Sequence, residues 1–502
     1  MTGLHRTPLT TSQKIECVAK ALAGQEEAGG MAGLSREYGV SRPTVYAAKV
    51  AASEVLREHF EEPESDPTVW VKVDKAQLRR TVVALRVMAP NALRPIEDMV
   101  PIVYPGVRLS YGKVQSMAAE AEAQAAAFNA KADLSGVRAG ALDEMFSQGE
   151  PVLAGVDLDS GYLFGLSLHQ TRSSEDWAHV LTQGKAQGLS LAVVVKDAAK
   201  GIEVGVREVF PQAEQRDDCF HALYELNKVR RRLEHRAYGA IAAEEEARHQ
   251  LPKIPVSEGK RRRRQRHKIG RAHRHCQEVI TRYDRFEAAM QEVQEALECI
   301  DLKDGHLRSA EEVKAMVEHA ADTLQGLDPA CHKVARYLRN RAAGLSLATG
   351  ELNTRLGELA TTYSLGAVAL AGMLWQLVFE LHNHPRPWLQ AEQHRQLLGA
   401  FARLKHLLGP QLDALLNTVK ALLDQRHRAS SAIEGFNAAL RPFLYVHKGV
   451  TQGFLELFRA YYNLRTRRWG RHQGTSAHQC LTGQAVGDWL TLLGFPPSST
   501  LH

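Results

Sequence analysis

The sequence predicts an α/β core that is interrupted by a long all-α segment and preceded by all-α domains. Three observations support this fold class. Helical patterns separated by glycine turns fill the first 132 residues, short apolar strand patterns begin near residue 137, and helical patterns alone follow from about 223 to 425. Because 502 residues are many for one hydrophobic core, several domains are expected.

The composition excludes several classes of protein. Hydrophobic residues make up 44% of the chain and charged residues 24%, which is ordinary for a soluble protein. The six cysteines include no C-x-x-C pair, so a disulfide framework or zinc ribbon is not expected. We found no apolar export segment and no uninterrupted run of 18 apolar residues, and therefore expect a cytoplasmic protein with no membrane partner.

Residues 1–62 are predicted to form a helix-turn-helix DNA-binding domain. A Gly39-Val40 turn separates a short helix from a second helix that carries Pro43 in its first turn. The second helix of such a unit enters the major groove of DNA. The exposed contacts expected on it are Ser41, Arg42, Thr44, Tyr46 and Lys49. A plain helical hairpin is the alternative interpretation.

Residues 63–132, after an acidic linker, are predicted to form a second helical domain. The turn "YPGVRLS" and a helix capped by Ser110 repeat the layout of the first domain. A second helix-turn-helix is therefore plausible, with Ser110 and Lys113 facing DNA. A helical linker is the alternative, because the later part of this helix is mostly Ala and Glu.

The strand patterns of residues 133–222 predict the first part of a catalytic core. "RAGALDEMF", "PVLAGVDLDS" and "YLFGLSLHQ" are typical of three consecutive antiparallel strands. A helix capped by Ser173 or Ser174, the buried strand "LAVVVK", a second helix and a last strand follow. The order β-β-β-α-β-α-β is that of the ribonuclease H-like fold.

Acidic residues at the centre of the first strand and the end of the fourth strand would face one pocket in this fold. Asp197 ends the fourth strand, where a buried carboxylate is costly unless it is paired or bound to metal, although it could instead cap the next helix. The acid of the first strand is Asp143 or Asp157. We favour Asp143, because a first strand at Asp157 leaves only two strands before the helix. Glu144 should then point to the opposite face.

A third carboxylate is expected from the last part of the core, residues 426–502, beyond a helical insertion at 223–425. Glu434 in "SSAIEGFNAALRPFL" is the only acid between Asp424 and Glu456. It could form a capping box with Ser431, or bind metal, or do both. We predict that Asp143, Asp197 and Glu434 bind two Mg²⁺ (or Mn²⁺) ions for in-line phosphoryl transfer.

Basic segments supply candidate contacts to DNA phosphates. Residues 259–275 contain nine Lys or Arg and three His but no acid. Such a run is typical of a solvated loop or a nucleic-acid-binding arm. Further basic side chains surround Glu434 and follow it. The candidate phosphate contacts are Arg261, Arg262, Arg263, Arg264, Arg441, Lys448, Arg465, Arg467 and Arg468.

Four segments together resemble bacterial insertion-sequence transposases of the DDE type, of the Mutator-like group. They are "LDEMFSQGEPVLAGVDLDS", "VVVKDAAKGI", "QRDDCFHAL" and "SSAIEGFNAALRPFL". The resemblance implies that Asp218 and His221 form the Cys/Asp-x-x-His element of the family and that Asn437 supports Glu434. The family usually has Gly after the second aspartate, whereas this chain has Ala198.

The resemblance also implies an activity and partners. The N-terminal domains would bind the terminal inverted repeats of a bacterial element, and the core would cleave the ends and join the 3′-hydroxyls to target DNA. Pairing two double-stranded DNA ends requires at least a homodimer, located at the nucleoid. The alternatives are a structure-selective nuclease with the same carboxylates, a DNA-binding regulator or inactive element copy, and a helical scaffold.

Overall fold

The structure, a computed structural model, describes residues 9–23, 30–60, 73–383, 390–427, 429–446 and 449–497. The predicted acidic linker and the candidate contact Lys448 lie outside these ranges. The chain divides into two compact units, Met1–Val73 and Asp74–His502.

Three helices form the first unit, and their bounds are α1 (Thr11–Leu22), α2 (Gly30–Glu37) and α3 (Arg42–Phe60). Gly39, at φ +62°, makes the turn between α2 and α3 in a backbone conformation that glycine adopts without strain. Cys17, Leu34 and Val45 are buried together and hold the three helices around one small core. The predicted short helix, glycine turn and longer helix are therefore present.

The second unit begins with α4 (Lys75–Met88), α5 (Leu93–Val103) and α6 (Tyr111–Ala130). The alanine-rich half of α6 is not a linker. Ala121 and Ala125 are fully buried in the same hydrophobic cluster as residues of the sheet, because small side chains let a helix approach closely. This helix is therefore part of the core that supports the sheet.

The predicted order of strands and helices is present. The strands are β1 (Ala139–Ser147), β2 (Glu150–Asp157), β3 (Leu163–Leu168), β4 (Val193–Lys196) and β5 (Glu214–Asp217). Two helices connect the last three strands, namely α7 (Ser174–Ala186) and α8 (Lys200–Val209). The sheet order is β3-β2-β1-β4-β5; β1 pairs antiparallel with β2 and parallel with β4. Most of the remaining elements are helical, so the protein is mostly α with one small mixed sheet.

The described residues of the predicted insertion are mostly helical, with one isolated antiparallel bridge between Ile300 and Leu307. Its helices are α9 (Cys219–Gln250), α10 (Gly259–Ala296), α11 (Ala310–Gln325), α12 (His332–Leu359), α13 (Leu365–Asn383), α14 (Gln390–Leu408) and α15 (Leu412–Asp424). Within the described ranges, one helical segment, Leu365–His382, is long and apolar enough to cross a membrane. Because 44% of this window is buried inside the protein, it is weak evidence for a membrane span.

The chain returns to the sheet after the insertion. The last helices are α16 (Ser431–Val446), α17 (Gln452–Leu464), α18 (Ala477–Thr482) and α19 (Trp489–Leu492). Ala141 and Met145 of β1 are buried with Phe436 of α16 on one face of the sheet, while Leu142 is buried with Trp177 of α7 on the other. This alternation places Asp143 on the face of the sheet that α16 covers.

Candidate functional site

Two aspartates stand side by side where β1 and β4 run parallel. Leu142 is paired with Lys196 in the register of these strands, so Asp143 and Asp197 are the next residues on each. Lys196 is also paired with Asp217 at the end of β5. The carboxyl ends of β4 and β5 and the centre of β1 therefore lie at one place in the sheet.

Asp143 lies in an acidic and largely desolvated environment. The pKa of this carboxyl group is raised to about 6, mainly by burial and to a smaller extent by the negative charges of Asp197 and Glu434. Two hydrogen bonds act in the opposite direction: Glu144 N–H donates to Oδ1 at 2.8 Å, and Asn437 Nδ2 donates to Oδ2 at 2.6 Å. Carboxylates from three separate elements thus interact at Asp143.

Glu434 lies in the first turn of α16, and it does not form the capping box with Ser431 that was one interpretation of this segment. The helix begins at Ser431, and the Glu434 N–H donates to the carbonyl of Ser430 at 3.0 Å. Ser431 is therefore a helical residue and not the cap. The negative charge of the Glu434 carboxylate acts on the ionisation of Asp143.

Asp197 is not the cap of α8, which was the alternative for this residue. The N-cap position of α8 is Ala199, and the Asp197 carboxylate accepts the Ala199 N–H at 2.9 Å. Ala198 is not among the described residues with positive φ, so this loop does not need the glycine that is usual in the resembling family. Arg172, which the sequence did not indicate, is near enough for the Asp197 charge to raise its pKa, after the larger effect of Glu144.

Asp157 is held away from the three carboxylates. It is 2% exposed at the end of β2, is paired with Gly140, and accepts hydrogen bonds from the Ser160 N–H and hydroxyl. These two bonds hold the Asp157 carboxylate in a turn directly after β2. Glu144 points to the opposite face of the sheet, where Trp177 and Arg172 donate to its carboxylate at 3.1 and 2.7 Å.

Asp218 connects the beginning of α9 to the beginning of α16. It is 2% exposed, caps α9 by accepting the Phe220 N–H at 2.9 Å, and also accepts the Ser430 N–H at 3.2 Å and the Ser430 hydroxyl at 2.5 Å. Ser430 directly precedes the helix that carries Glu434. The predicted supporting residue Asp218 therefore fixes where that helix starts.

The neighbouring Asp217 connects the site to the helical insertion. Its carboxylate forms ion pairs with Lys196 at 3.6 Å and with Arg341 of α12 at 3.0 Å. Arg341 also donates to the carbonyl of Ala198, directly after Asp197, at 3.4 Å. A Cβ atom on Gly344 would lie 2.0 Å from Oδ2 of Asp217, so only glycine allows this approach. The sequence did not indicate this contribution of the insertion.

A second link between insertion and site passes through Arg216. Its guanidinium is 2% exposed, pairs with Glu351 of α12 at 2.5 Å, and donates to the carbonyl of His427 at 3.2 Å. His221, the other residue of the predicted Cys/Asp-x-x-His element, is half-buried 3.8 Å from Glu225, with its ring centroid 6.4 Å from that of Tyr337. Within the described residues, His221 forms no hydrogen bond or ion pair with Asp143, Asp197 or Glu434.

The donor set fits a hard divalent cation. Asp143, Asp197 and Glu434 offer carboxylate oxygens, which are the ligands that Mg²⁺ and Mn²⁺ prefer. The Oδ1 atom of Asn437 is buried without a hydrogen-bond partner beside them. In the part of the chain that the structure describes, no three acidic, His or Cys side chains already have the arrangement of a formed metal site.

The predicted DNA contacts of the first unit are mostly accessible. Arg42, Thr44 and Tyr46 are exposed at the start of α3, and Lys49 is half-buried one turn later. Ser41 precedes the helix, where its hydroxyl lies 2.7 Å from that of Thr44.

Ser110 and Lys113 are exposed at the start of α6. Ser110 occupies the N-cap position, but its side chain makes no capping hydrogen bond, contrary to expectation. Glu97 instead accepts the N–H of Tyr111 at 3.0 Å.

The basic run is helical and not a loop, because residues 260–274 form the first turns of α10. Arg261, Arg263 and Arg264 are exposed. Arg262 is different, since its guanidinium donates to the carbonyl of Ile254 at 2.8 Å. This hydrogen bond stabilises the turn that precedes α10.

Among the basic residues after Glu434, some are likewise exposed and others bind backbone carbonyls of the protein. Arg441 and Arg468 are exposed, and Arg465 lies 4.6 Å from the ring centroid of Tyr462. Helix α17 ends at Leu464, so Arg465, Arg467 and Arg468 lie in the loop that follows it. Arg467 donates to the carbonyls of Ser160 and Ser476 at 2.8 and 3.1 Å, which gives it a structural role in that loop.

The protein is thus mostly helical and has one small mixed sheet, with acidic side chains of Asp143, Asp197 and Glu434 near the central strand. Residues 141–238 match the protein family described as Transposase, Mutator family. The matched range contains Asp143, Asp197, Asp218 and His221, and it confirms the resemblance of the chain to transposases of the Mutator-like group.

Comparisons with curated proteins and with solved structures do not extend this resemblance. No curated protein sequence matches the chain. Among solved structures, the Drosophila P element transposase strand transfer complex is similar with a TM-score of 0.31 and 11% identity, over 75% of this chain and 99% of that chain. So low a score does not by itself support a shared fold.

Proposed function

We propose that the protein is a DNA transposase with a ribonuclease H-like core, which cleaves the ends of its element and joins them to target DNA by metal-dependent phosphoryl transfer. The observation that carries this proposal is the convergence at Asp143. Asp197, directly after β4, and Glu434, from α16, both act on the ionisation of this carboxyl group. The match of residues 141–238 to Mutator family transposases supports the same conclusion.

Each of the three carboxylates has a distinct structural support. Asp143 is oriented by Asn437 and Asp197 by the Ala199 N–H, while the start of the Glu434 helix is fixed by the contact of Ser430 with Asp218. Together they would hold two Mg²⁺ or Mn²⁺ ions. When bound, such ions activate a water or 3′-hydroxyl oxygen and stabilise the leaving oxygen of an in-line displacement.

The exposed basic side chains would bind the DNA backbone. Arg263, Arg264, Arg441 and Arg468 can neutralise phosphates, so affinity should fall steeply as salt concentration rises. The exposed face of α3 would read the element ends in the major groove. Pairing two ends would require at least two copies of the chain.

Cleavage of a labelled duplex that carries the end of the element tests the proposal, in Mg²⁺ or Mn²⁺, with DNA binding measured in parallel. Glu434→Gln should bind DNA and fail to cleave it. Asp413→Asn is the matched control, because Asp413 is an exposed acid in the first turn of α15, and it should cleave like the wild type. If the wild-type protein binds the duplex and cleaves under neither ion, the protein is a regulator or an inactive copy.

A further inference from the structure

Helix α9 presents two aromatic rings to solvent at its beginning. Phe220 is 47% exposed and Tyr224 is 50% exposed. Four residues apart on one helix, they stack with ring centroids 6.4 Å apart and an interplanar angle of 15°. Neither ring is required to fill the core, because Leu226 and Leu233 on the opposite face of α9 are buried there.

The same face of the helix is basic beyond the rings. Lys228 Nζ lies 4.8 Å from the ring centroid of Tyr224, and Arg231 and Arg232 are exposed one turn further on. Glu225 pairs with Lys228, so it offsets part of the charge there. This face of α9 therefore presents two aromatic rings and then several cations. Aromatic rings can stack nucleic-acid bases, and the cations can bind the phosphates next to those bases.

This aromatic face begins beside the carboxylate site. The Phe220 N–H donates to Asp218, and the same carboxylate binds Ser430 at the start of the helix that carries Glu434. Helix α9 follows β5, which runs parallel to the strand that Asp197 ends. A nucleic acid whose phosphodiester lay at the carboxylates would therefore have its flanking nucleotides within reach of the two rings.

We propose that Phe220 and Tyr224 form a stacking platform for unpaired DNA bases that flank the cleaved phosphodiester. The proposal rests on the proposed function and extends it. Bases inside a duplex already stack on one another, so only bases that leave the duplex present a free face to these rings. Stacking of a base on an aromatic side chain tolerates any sequence, and Lys228, Arg231 and Arg232 would hold the adjoining backbone.

The test compares single-stranded and duplex DNA without divalent ions, so that binding is measured apart from cleavage. The probe is a fluorescein-labelled oligodeoxythymidylate of about 12 nucleotides, within the length that one such groove covers. The double variant Phe220→Ala/Tyr224→Ala should bind it at least about tenfold more weakly, since each stacked base contributes about 1–3 kcal/mol. Binding of a duplex of equal length should change by less than about twofold, because its bases do not reach the rings.

Tyr238 supplies the matched control. It is a 66% exposed aromatic residue on α9, 14 residues beyond Tyr224 and hence about 21 Å further along the helix. Tyr238→Ala should leave single-strand binding unchanged, and Phe220→Tyr should retain it because the ring remains. Circular dichroism and thermal unfolding establish that each variant is folded.

The outcomes separate this inference from the proposed function. If the double variant binds the single strand like the wild type, or if Tyr238→Ala weakens binding equally, there is no platform beside the site, even where the wild type cleaves DNA. If the wild type binds the element end but never cleaves it, the proposed function fails whatever the binding of the single strand.

Discussion

The side-chain amide of Asn437 donates a hydrogen bond of 2.6 Å to Oδ2 of Asp143, and so joins the Glu434 helix directly to the central strand of the sheet. Asn437 is 2% exposed and its Oδ1 atom has no hydrogen-bond partner. The orientation of one proposed metal-binding carboxylate therefore depends on a residue from the helix that supplies another.

Replacing Asn437 by Ala should lower the rate of DNA cleavage about 10–100-fold, because removing an outer partner of a metal ligand typically has an effect of this size. DNA binding without metal should be retained. Asn227→Ala is the control, since the Asn227 amide donates to the Leu223 carbonyl of its own helix and not to the carboxylate site. Cleavage rates at several Mg²⁺ concentrations check the prediction, and equal rates for the two variants would contradict it.

Replacing Ser430 by Ala should destabilise the protein by about 1–3 kcal/mol, because the carboxylate of Asp218, which is 2% exposed, loses a hydrogen bond. It should also slow cleavage, since the start of the Glu434 helix is no longer fixed. Ser309→Ala removes a capping box from α11 and should cost about 0.5–2 kcal/mol without slowing cleavage. Denaturant unfolding and cleavage assays on both variants distinguish these effects. If Ser309→Ala slows cleavage as much as Ser430→Ala does, Ser430 has no specific role in positioning the Glu434 helix.

Replacing Gly344 by Ala should destabilise the fold by about 1–3 kcal/mol, because the added Cβ would lie 2.0 Å from Oδ2 of Asp217 and the buried ion pairs would have to move. Gly357 lies on the same helix with no atom within 4 Å of an added Cβ. Gly357→Ala should therefore stabilise the protein by about 0.5–1 kcal/mol. Chemical denaturation should give changes of opposite sign in the free energy of unfolding of the two variants. Changes of the same sign would contradict the close approach of Gly344 to Asp217.

The carboxyl group of Asp157 should make stability depend on pH. Burial raises its pKa above the ordinary value, so the folded state binds this proton more tightly than the unfolded chain does. The contribution of Asp157 to stability is complete below about pH 4 and is lost as pH rises through the raised pKa.

Asp157→Asn cannot ionise, so its unfolding free energy relative to wild type should increase with pH above about 4 and then become constant. The change should be on the order of 1 kcal/mol. Denaturant titrations in a metal chelator at several pH values measure it. A difference between variant and wild type that does not change with pH would show that Asp157 is not desolvated in the fold.

Local patterns in the sequence were enough to predict the core elements. Alternating and continuous apolar runs predicted β1 to β5 in the observed order, and glycine turns predicted the helices around Gly39. Strand alternation also placed Asp143 and Glu144 on opposite faces, as the contacts of Asn437 and Trp177 show. These features depend on neighbours in the sequence, so they can be read from it.

Contacts between distant residues decided the rest. Asp218 meets Ser430 across 212 positions of the chain, and Arg341 reaches Asp217 from within the insertion, with no local pattern to indicate either contact. Arg262 and Arg467 were indistinguishable from other arginines until the fold brought backbone carbonyls to their guanidinium groups.

The sequence by itself thus determined which carboxylates and basic segments this protein has and which elements carry them. Only the tertiary structure decided which acids converge at Asp143, which arginines are free to meet phosphates, and how the insertion supports the loop after Asp197. The physical reason is that side-chain charges and hydrogen bonds act over a few ångströms in space, whatever their separation along the chain.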